Sequence, residues 1–253
     1  MNRVLPILFN GDMVRAILDG RKTVTRRLIK PQQLIGLLPD KCKNGTTEEF
    51  LKEKKYMFKP YCDMTDAELI NASYNPPCQP GDILYVRETV WQKVGYYLDV
   101  DGETKPSWYN EFKYTATDEK PETGWNYSWA TRPSIHMPKE AARIWLKVKD
   151  VRVERLQDIT EEQVDAEGFR YKPPCLRMVS ADGHYCDLDG PCTSSIKYCD
   201  MSMGELFGKE LWNSTIKKSD LDRYGWDANP WVWVIEFERC ENPDEITALQ
   251  ALE

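Results

Sequence analysis

Met13-Val-Arg-Ala-Ile-Leu-Asp-Gly-Arg-Lys-Thr-Val-Thr-Arg-Arg27 changes its period at one residue, Gly20. Before it, Val14, Ile17 and Leu18 recur at helical spacing, and Asn10 stands where a helix takes its N-terminal cap. Gly20 stops that helix, because glycine adopts the left-handed conformation of a helix end at no steric cost. After it, Lys22 to Ile29 is rich in β-branched and long polar residues and predicts a strand. The stretch therefore predicts a helix that passes through one glycine into a basic strand.

Working outward, Leu5 to Phe9 predicts a short strand. Gly81-Asp82 is a turn into a strand over Ile83 to Glu88, with Ile83, Tyr85 and Arg87 on one face. Ala142 to Arg155 alternates Ile144, Leu146 and Val148 inward, then resumes in the opposite phase with Val151 and Val153. That change predicts a bulge or break near Lys149-Asp150. Thr160 with Gln163 forms a capping box, and Ile159 with Val164 can staple it. The short helix they open ends at Gly168, which puts Glu167 in its last turn. Ser202 with Glu205 repeats the box ahead of an apolar stripe through Met203, Leu206, Phe207, Leu211 and Trp212. Trp231 to Glu238 predicts a final strand. Three stretches, about 31–80, 92–130 and 170–201, are polar or proline-rich and read as irregular insertions. Strands outnumber helices without strict alternation, so the expected class is α+β with a small curved sheet or barrel. Trp145, Trp212 and Trp233 are assigned to the core.

Composition narrows the function. The 253 residues are 41% hydrophobic and 30% charged, enough apolar content for a core. No run of about 18 apolar residues occurs, so no membrane-spanning helix is expected. Residues 1–20 lack the pattern of a signal peptide, and the eight cysteines read as reduced thiols of a cytoplasmic protein. The net charge of −7 argues against coating duplex DNA, which needs many cationic contacts. Residues 1–30 nevertheless carry seven cations against Asp12 and Asp19, a balance of +5 that leaves −12 for the remainder. A local basic patch on an acidic body suits a small anionic ligand or a short single strand, or is simply a solvated charged face.

The opening stretch resembles the ASCH family of the PUA-like superfamily, in which a helix ends in Gly or Asp-Arg-Lys-Thr and runs straight into a strand. Gly81-Asp-Ile-Leu-Tyr-Val-Arg-Glu88, Arg132-Pro-Ser-Ile-His-Met-Pro138, Val151-Arg-Val-Glu-Arg-Leu-Gln-Asp-Ile159 and Asn229-Pro-Trp-Val-Trp-Val-Ile-Glu-Phe237 are similar to segments of its longer members in tailed-phage and prophage genomes. The resemblance runs from near Leu5 to about Arg239, apart from the insertions. It implies one domain over residues 1–253, a PUA-like small β-barrel of mixed sheet with helices at its rim and the insertions as loops. Members of the superfamily commonly bind RNA or recognise modified bases. One subfamily, much shorter than this chain, hydrolyses the acyl amide of N4-acetylcytidine. Its lysine, threonine and glutamate fall on Lys22, Thr25 and Glu167, and Arg27 matches a basic residue on the same strand.

Amide hydrolysis needs a nucleophile, a base and donors for the oxyanion. Thr25 could supply the hydroxyl and Lys22 the base, since burial and neighbouring cations favour a neutral amine. Positions 22 and 25 differ by three, which places them on opposite faces of an ideal strand unless the chain bends after Gly20. The plain alternative is a surface ion-pair network of Lys22, Arg26 and Glu167. Arg21, Arg26, Arg27, Arg87 and Glu88 are further candidates for ligand binding, Arg87 and Glu88 equally for a pair at a strand end. No cofactor is required. Cys175, Cys186, Cys192 and Cys199 could hold a structural zinc as four thiolates, although their spacings of 11, 6 and 7 are uncommon for zinc modules. The leading expectation is a pocket near the basic strand 21–30 for a nucleobase, a modified nucleoside or a short single-stranded nucleic acid, RNA favoured. Trp91, Trp125 and Trp129 are available for stacking. The rivals are an amidohydrolase of N4-acylated cytidine and a phage-encoded protein that acts on a host factor.

Overall fold

The computed structural model describes residues 2–29, 75–170 and 201–244. Its strands are β1 (Val4–Leu8), β2 (Val24–Leu28), β3 (Ile83–Arg87), β4 (Val90–Leu98), β5 (Thr104–Tyr114), β6 (Tyr127–Arg132), β7 (Trp145–Arg155) and β8 (Trp231–Cys240). Five of them form one sheet in the order β1-β3-β7-β8-β2, and three form a second in the order β5-β4-β6. The first sheet is mixed, with β1 parallel to β3 and β3 antiparallel to β7. Its outer strands are β1 and β2, and among the described residues it does not close into a barrel. The helices are short: α1 (Gly11–Leu18), α2 (Glu161–Ala166), α3 (Met203–Leu206) and α4 (Leu221–Tyr224), with α3 running into a π-helical turn over Phe207–Trp212. The class is α+β, as the sequence predicts.

The chain divides into two compact units, each assembled from separate segments. Unit 1 comprises Met1–Thr23, Cys78–Asp150 and Glu236–Glu253; unit 2 comprises Val24–Pro77 and Val151–Ile235.

In unit 1, Asn10 Oδ1 accepts from Met13 N at 2.9 Å and opens α1. The helix closes as a Schellman motif around Gly20, whose φ is 75°. Gly20 N donates to Ile17 O at 3.0 Å and Arg21 N to Ala16 O at 2.9 Å; Lys22 N donates to that same carbonyl at 3.0 Å. The helix therefore stops at Gly20, as the sequence predicts. Asp82 secures the entry to β3, accepting from Arg3 N at 2.9 Å, Arg3 Nη2 at 2.6 Å and Gln79 N at 2.8 Å. Burial alone would push this carboxyl up. The bonds from Arg3 and Gln79 outweigh it and hold Asp82 below the ordinary aspartate range.

The stretch 92–130 is not irregular, which corrects the sequence reading. It supplies nearly all of the three-stranded sheet, and Asp99 and Gly102 shape the β4–β5 turn, with Gly102 N donating to Asp99 O at 3.0 Å. Aromatic residues occupy exposed as well as inward positions here, so period-two hydrophobicity is faint.

In unit 2, both predicted capping boxes form, at Thr160 with Gln163 and at Ser202 with Glu205. Gly168, at φ 75°, closes α2 by a second Schellman motif, Gly168 N to Asp165 O at 2.8 Å and Phe169 N to Val164 O at 3.4 Å. The core beneath gathers Val24, Leu156, Ile159, Val164, Phe207, Trp212, Trp226, Val232 and Val234. Burying each large apolar side chain stabilises by roughly 1.5–3 kcal/mol. Trp145, Trp212 and Trp233 are all buried, as expected.

Two measurements test this packing. A Cβ on Gly208 would stand 2.0 Å from Trp226 Cδ2, so Gly208→Ala should lower the urea midpoint by an overpacking cost of about 1–3 kcal/mol. An unchanged midpoint would show that Trp226 does not seat on Gly208. Because the folded Asp82 is a stronger acid than the ordinary aspartate of pKa about 3.9, its contribution is complete above that value. It is lost as pH falls through the lower, folded value. Asp82→Asn should accordingly flatten the acid limb of the stability–pH curve.

Candidate functional site

The most unusual electrostatics among the described residues lie in unit 2, around one arginine. The Arg26 side chain is 1% exposed and that of Glu167 3%. Arg26 projects from β2, on the face shared with Val24 and Leu28, which pack with the unit 2 core. Its Nη1 donates to Glu167 Oε1 at 3.3 Å, and its Nη2 to Gln163 Oε1 at 2.7 Å and Glu154 Oε2 at 3.4 Å. Its Nε finds no hydrogen-bond partner among the described residues. Glu154, on β7, also accepts from Arg152 Nε at 2.6 Å.

Local sequence rules place each partner. The capping box sets Gln163 on the first turn of α2, where its side-chain oxygen accepts from Thr160 N at 3.1 Å as well as from Arg26. The Schellman motif makes Glu167 the C-terminal cap residue, immediately before Gly168. Arg27, next along β2, is partly buried. Its surroundings push the guanidinium below the ordinary arginine value, while the charge of Glu167 opposes that shift.

A surface ion-pair network is thus overturned for Arg26 and Glu167. Both are buried, because β2 is covered on both faces over Val24–Arg26. Thr25 is also buried and belongs to unit 2; Lys22 is 2% exposed and belongs to unit 1. The Lys22 ammonium lies 5.5 Å from the centroid of Phe9, whose ring packs 6.2 Å from that of Phe237. Arg21 pairs with Asp19 at 2.9 Å.

Arg87 and Glu88 hold local structure in unit 1. Arg87 Nε donates to Met137 O at 2.9 Å, and its Nη2 bonds Ile135 O. Glu88 is gripped by both arms of the Arg143 guanidinium, Nε to Oε1 at 2.8 Å and Nη2 to Oε2 at 3.0 Å. Arg143 also lies 3.9 Å from the Tyr114 ring centroid and donates to Thr117 Oγ1 at 2.9 Å. Arg87 and Glu88 thus engage separate partners near the end of β3 rather than each other. Cys175, Cys186, Cys192 and Cys199 lie outside the described residues. Among the described residues no group of His, Cys, Asp or Glu could hold a metal ion, and no helix is long and apolar enough to cross a membrane.

Sequence reasoning missed Glu154 and Gln163 as partners of Arg26, and Arg152 as a second cation on Glu154. Gln163 drew notice only as a helix cap, and Glu154 lay inside a strand motif whose apolar residues were the signal. No protein-family profile, curated protein or solved structure matches this chain.

The cluster can also be tested on its own. Removing one partner from a buried ion pair is strongly destabilising, whereas replacing the whole pair by apolar groups is often neutral. Arg26→Ala should cost about 3–5 kcal/mol in urea unfolding, because it removes the guanidinium that Glu167, Gln163 and Glu154 all engage. Arg26→Met combined with Glu167→Leu should recover most of the loss. A double-mutant cycle showing no coupling between these positions would mean that the pair is not formed.

Proposed function

We propose that this chain is a PUA-like, ASCH-type protein that binds a nucleobase, or a nucleoside at the end of a short single strand, beside β2. The observation that carries the reading is Arg26: a fully buried guanidinium whose Nε–H has no acceptor among the described residues. Buried polar groups are almost always satisfied, so a donor with no acceptor among the described residues, beside a carboxylate and an amide, calls for an acceptor beyond them, which we assign to a ligand. A nucleobase edge offers that chemistry, with carbonyl and ring-nitrogen acceptors next to exocyclic donors. The energetics point the same way. The apolar core of unit 2 stabilises by far more than a buried ion cluster, which roughly breaks even against its desolvation. Such a cluster is better explained by recognition than by stability. The five-stranded mixed sheet with short helices supplies the α+β class that a PUA-like fold requires.

The second reading is amide hydrolysis of an N4-acylated cytidine by Lys22, Thr25 and Glu167. Its support is the Arg21-Lys-Thr-Val-Thr25 motif together with the burial of all three named residues.

Calorimetric titration with cytidine, N4-acetylcytidine and the other nucleosides tests the binding reading. One nucleoside should bind, and Arg26→Lys should weaken it about tenfold or more while the protein stays folded, since a bidentate fork is not replaced by a point charge. Equal affinity in wild type and variant would remove the pocket. Release of acetate from N4-acetylcytidine, abolished in Lys22→Ala and Thr25→Ala, would instead establish the hydrolase.

A further inference from the structure

The three-stranded sheet of unit 1 carries an anomaly on one face. Residues paired across an antiparallel ladder share a face. On one side of β4, Val90, Gln92 and Val94 are buried, and Val90 packs with Met137 and Ala141. The other side is solvated, and there a sheet normally turns polar. Here it carries Trp91 and Tyr97 from β4, Tyr127 and Trp129 from β6, and Tyr109 from β5, none of them buried. Single exposed aromatics need no explanation, but two exposed and three half-buried rings on one small sheet face mark an interaction surface.

The rings are set for stacking. A Cβ on Gly95 would stand 2.8 Å from Tyr109 Cε2, so the Tyr109 ring rests over that glycine while staying 47% exposed. The Lys93 ammonium sits beside it, 5.8 Å from the Tyr109 centroid and 4.7 Å from that of Tyr127. Lys93, Lys105 and Lys113 share this face with Glu111, a cationic excess on a chain of net charge −7. Lys93 pairs with Glu111, and Lys105 with Asp99, so two of the three already hold carboxylates that an anion would replace. The sheet edges are less inviting. β5 carries Pro106 and a register break opposite Lys93, both of which discourage an added strand.

We propose that this face of β4, β5 and β6 is a stacking platform for single-stranded nucleic acid. Bases would lie on Tyr109, Tyr127 and Trp129, with phosphates meeting the three lysines. Aromatic rings accept any base, which makes such platforms tolerant of sequence, and the lysine excess favours a polyanion over an uncharged sugar chain. A duplex is disfavoured because its bases already stack on one another. The proposal rests on reading the chain as a nucleic-acid binder and extends it from one base to a strand.

The test uses the full chain and fluorescently labelled oligouridylate, oligothymidylate and a mixed duplex. Single strands should bind with quenching of tryptophan fluorescence, and more tightly than the duplex. Tyr109→Ala and Trp129→Ala should each weaken binding about tenfold with melting temperature unchanged, and Tyr109→Ala should leave nucleoside affinity unchanged. Lys113→Glu should weaken it further as salt is lowered. Single-strand affinity indifferent to these variants overturns the platform even where a nucleoside still binds. So does a duplex bound as tightly, or a dimer of the free protein that Trp129→Ala dissolves, which would give the face to a second copy. Loss of strand binding in the variants, where no nucleoside binds at all, upholds the platform and removes only the pocket.

Discussion

A guanidinium cannot be left dry without company, and the arrangement of unit 2 follows from that constraint. Arg26 enters from β2, Glu154 from β7, and Gln163 and Glu167 from the two ends of α2. β2 lies more than a hundred residues from β7 and α2 in the chain, yet its one planar cation engages side chains from both. The fork geometry of arginine makes this feasible, since its nitrogens diverge in a plane where a lysine would offer a single point. Beneath lies an apolar core that supplies most of the stabilisation. The core holds the unit together, and the ion cluster specifies how β2 and α2 meet.

Unit 1 solves its electrostatics differently. Its buried acids are neutralised locally and completely, Asp82 by Arg3 and by backbone N–H groups, Glu88 by both arms of Arg143. Such closed pairs have little left to offer a ligand. What unit 1 leaves open is instead an aromatic surface, with cations over rings and one sheet face in solvent. The described residues thus hold one buried polar cluster with a donor unmet among them and one aromatic surface with paired cations.

What could be read from the sequence was what short-range physics governs. The caps at Asn10, Thr160 and Ser202, and the stops at Gly20 and Gly168, depend on residues within one or two turns, and each stands where its side chain demands. The strands of the five-stranded sheet were legible because their apolar residues run densely or in alternation. The three-stranded sheet was not, since its aromatic residues point both inward and outward and blur the period of two. The sequence suggested an Arg26–Glu167 pairing only as part of a surface network with Lys22, the plain alternative to a ligand site. Arg26 and Glu167 lie 141 positions apart, and nothing local distinguishes an arginine bound for water from one bound for a buried carboxylate. The units were equally hidden, because their boundary falls inside β7 and β8 rather than in a linker.

That boundary has a consequence for how the molecule is made. Unit 1 requires residues beyond position 235 to complete it, although its first strand is synthesised more than 200 residues before them. A growing chain therefore carries β1 and α1 unfinished on the ribosome until the end of β8 emerges. Closure across most of the chain favours slow folding, with long-lived partly exposed strands. Neither unit is one stretch of chain, so no single cut frees either of them, and the protein is indivisible by truncation.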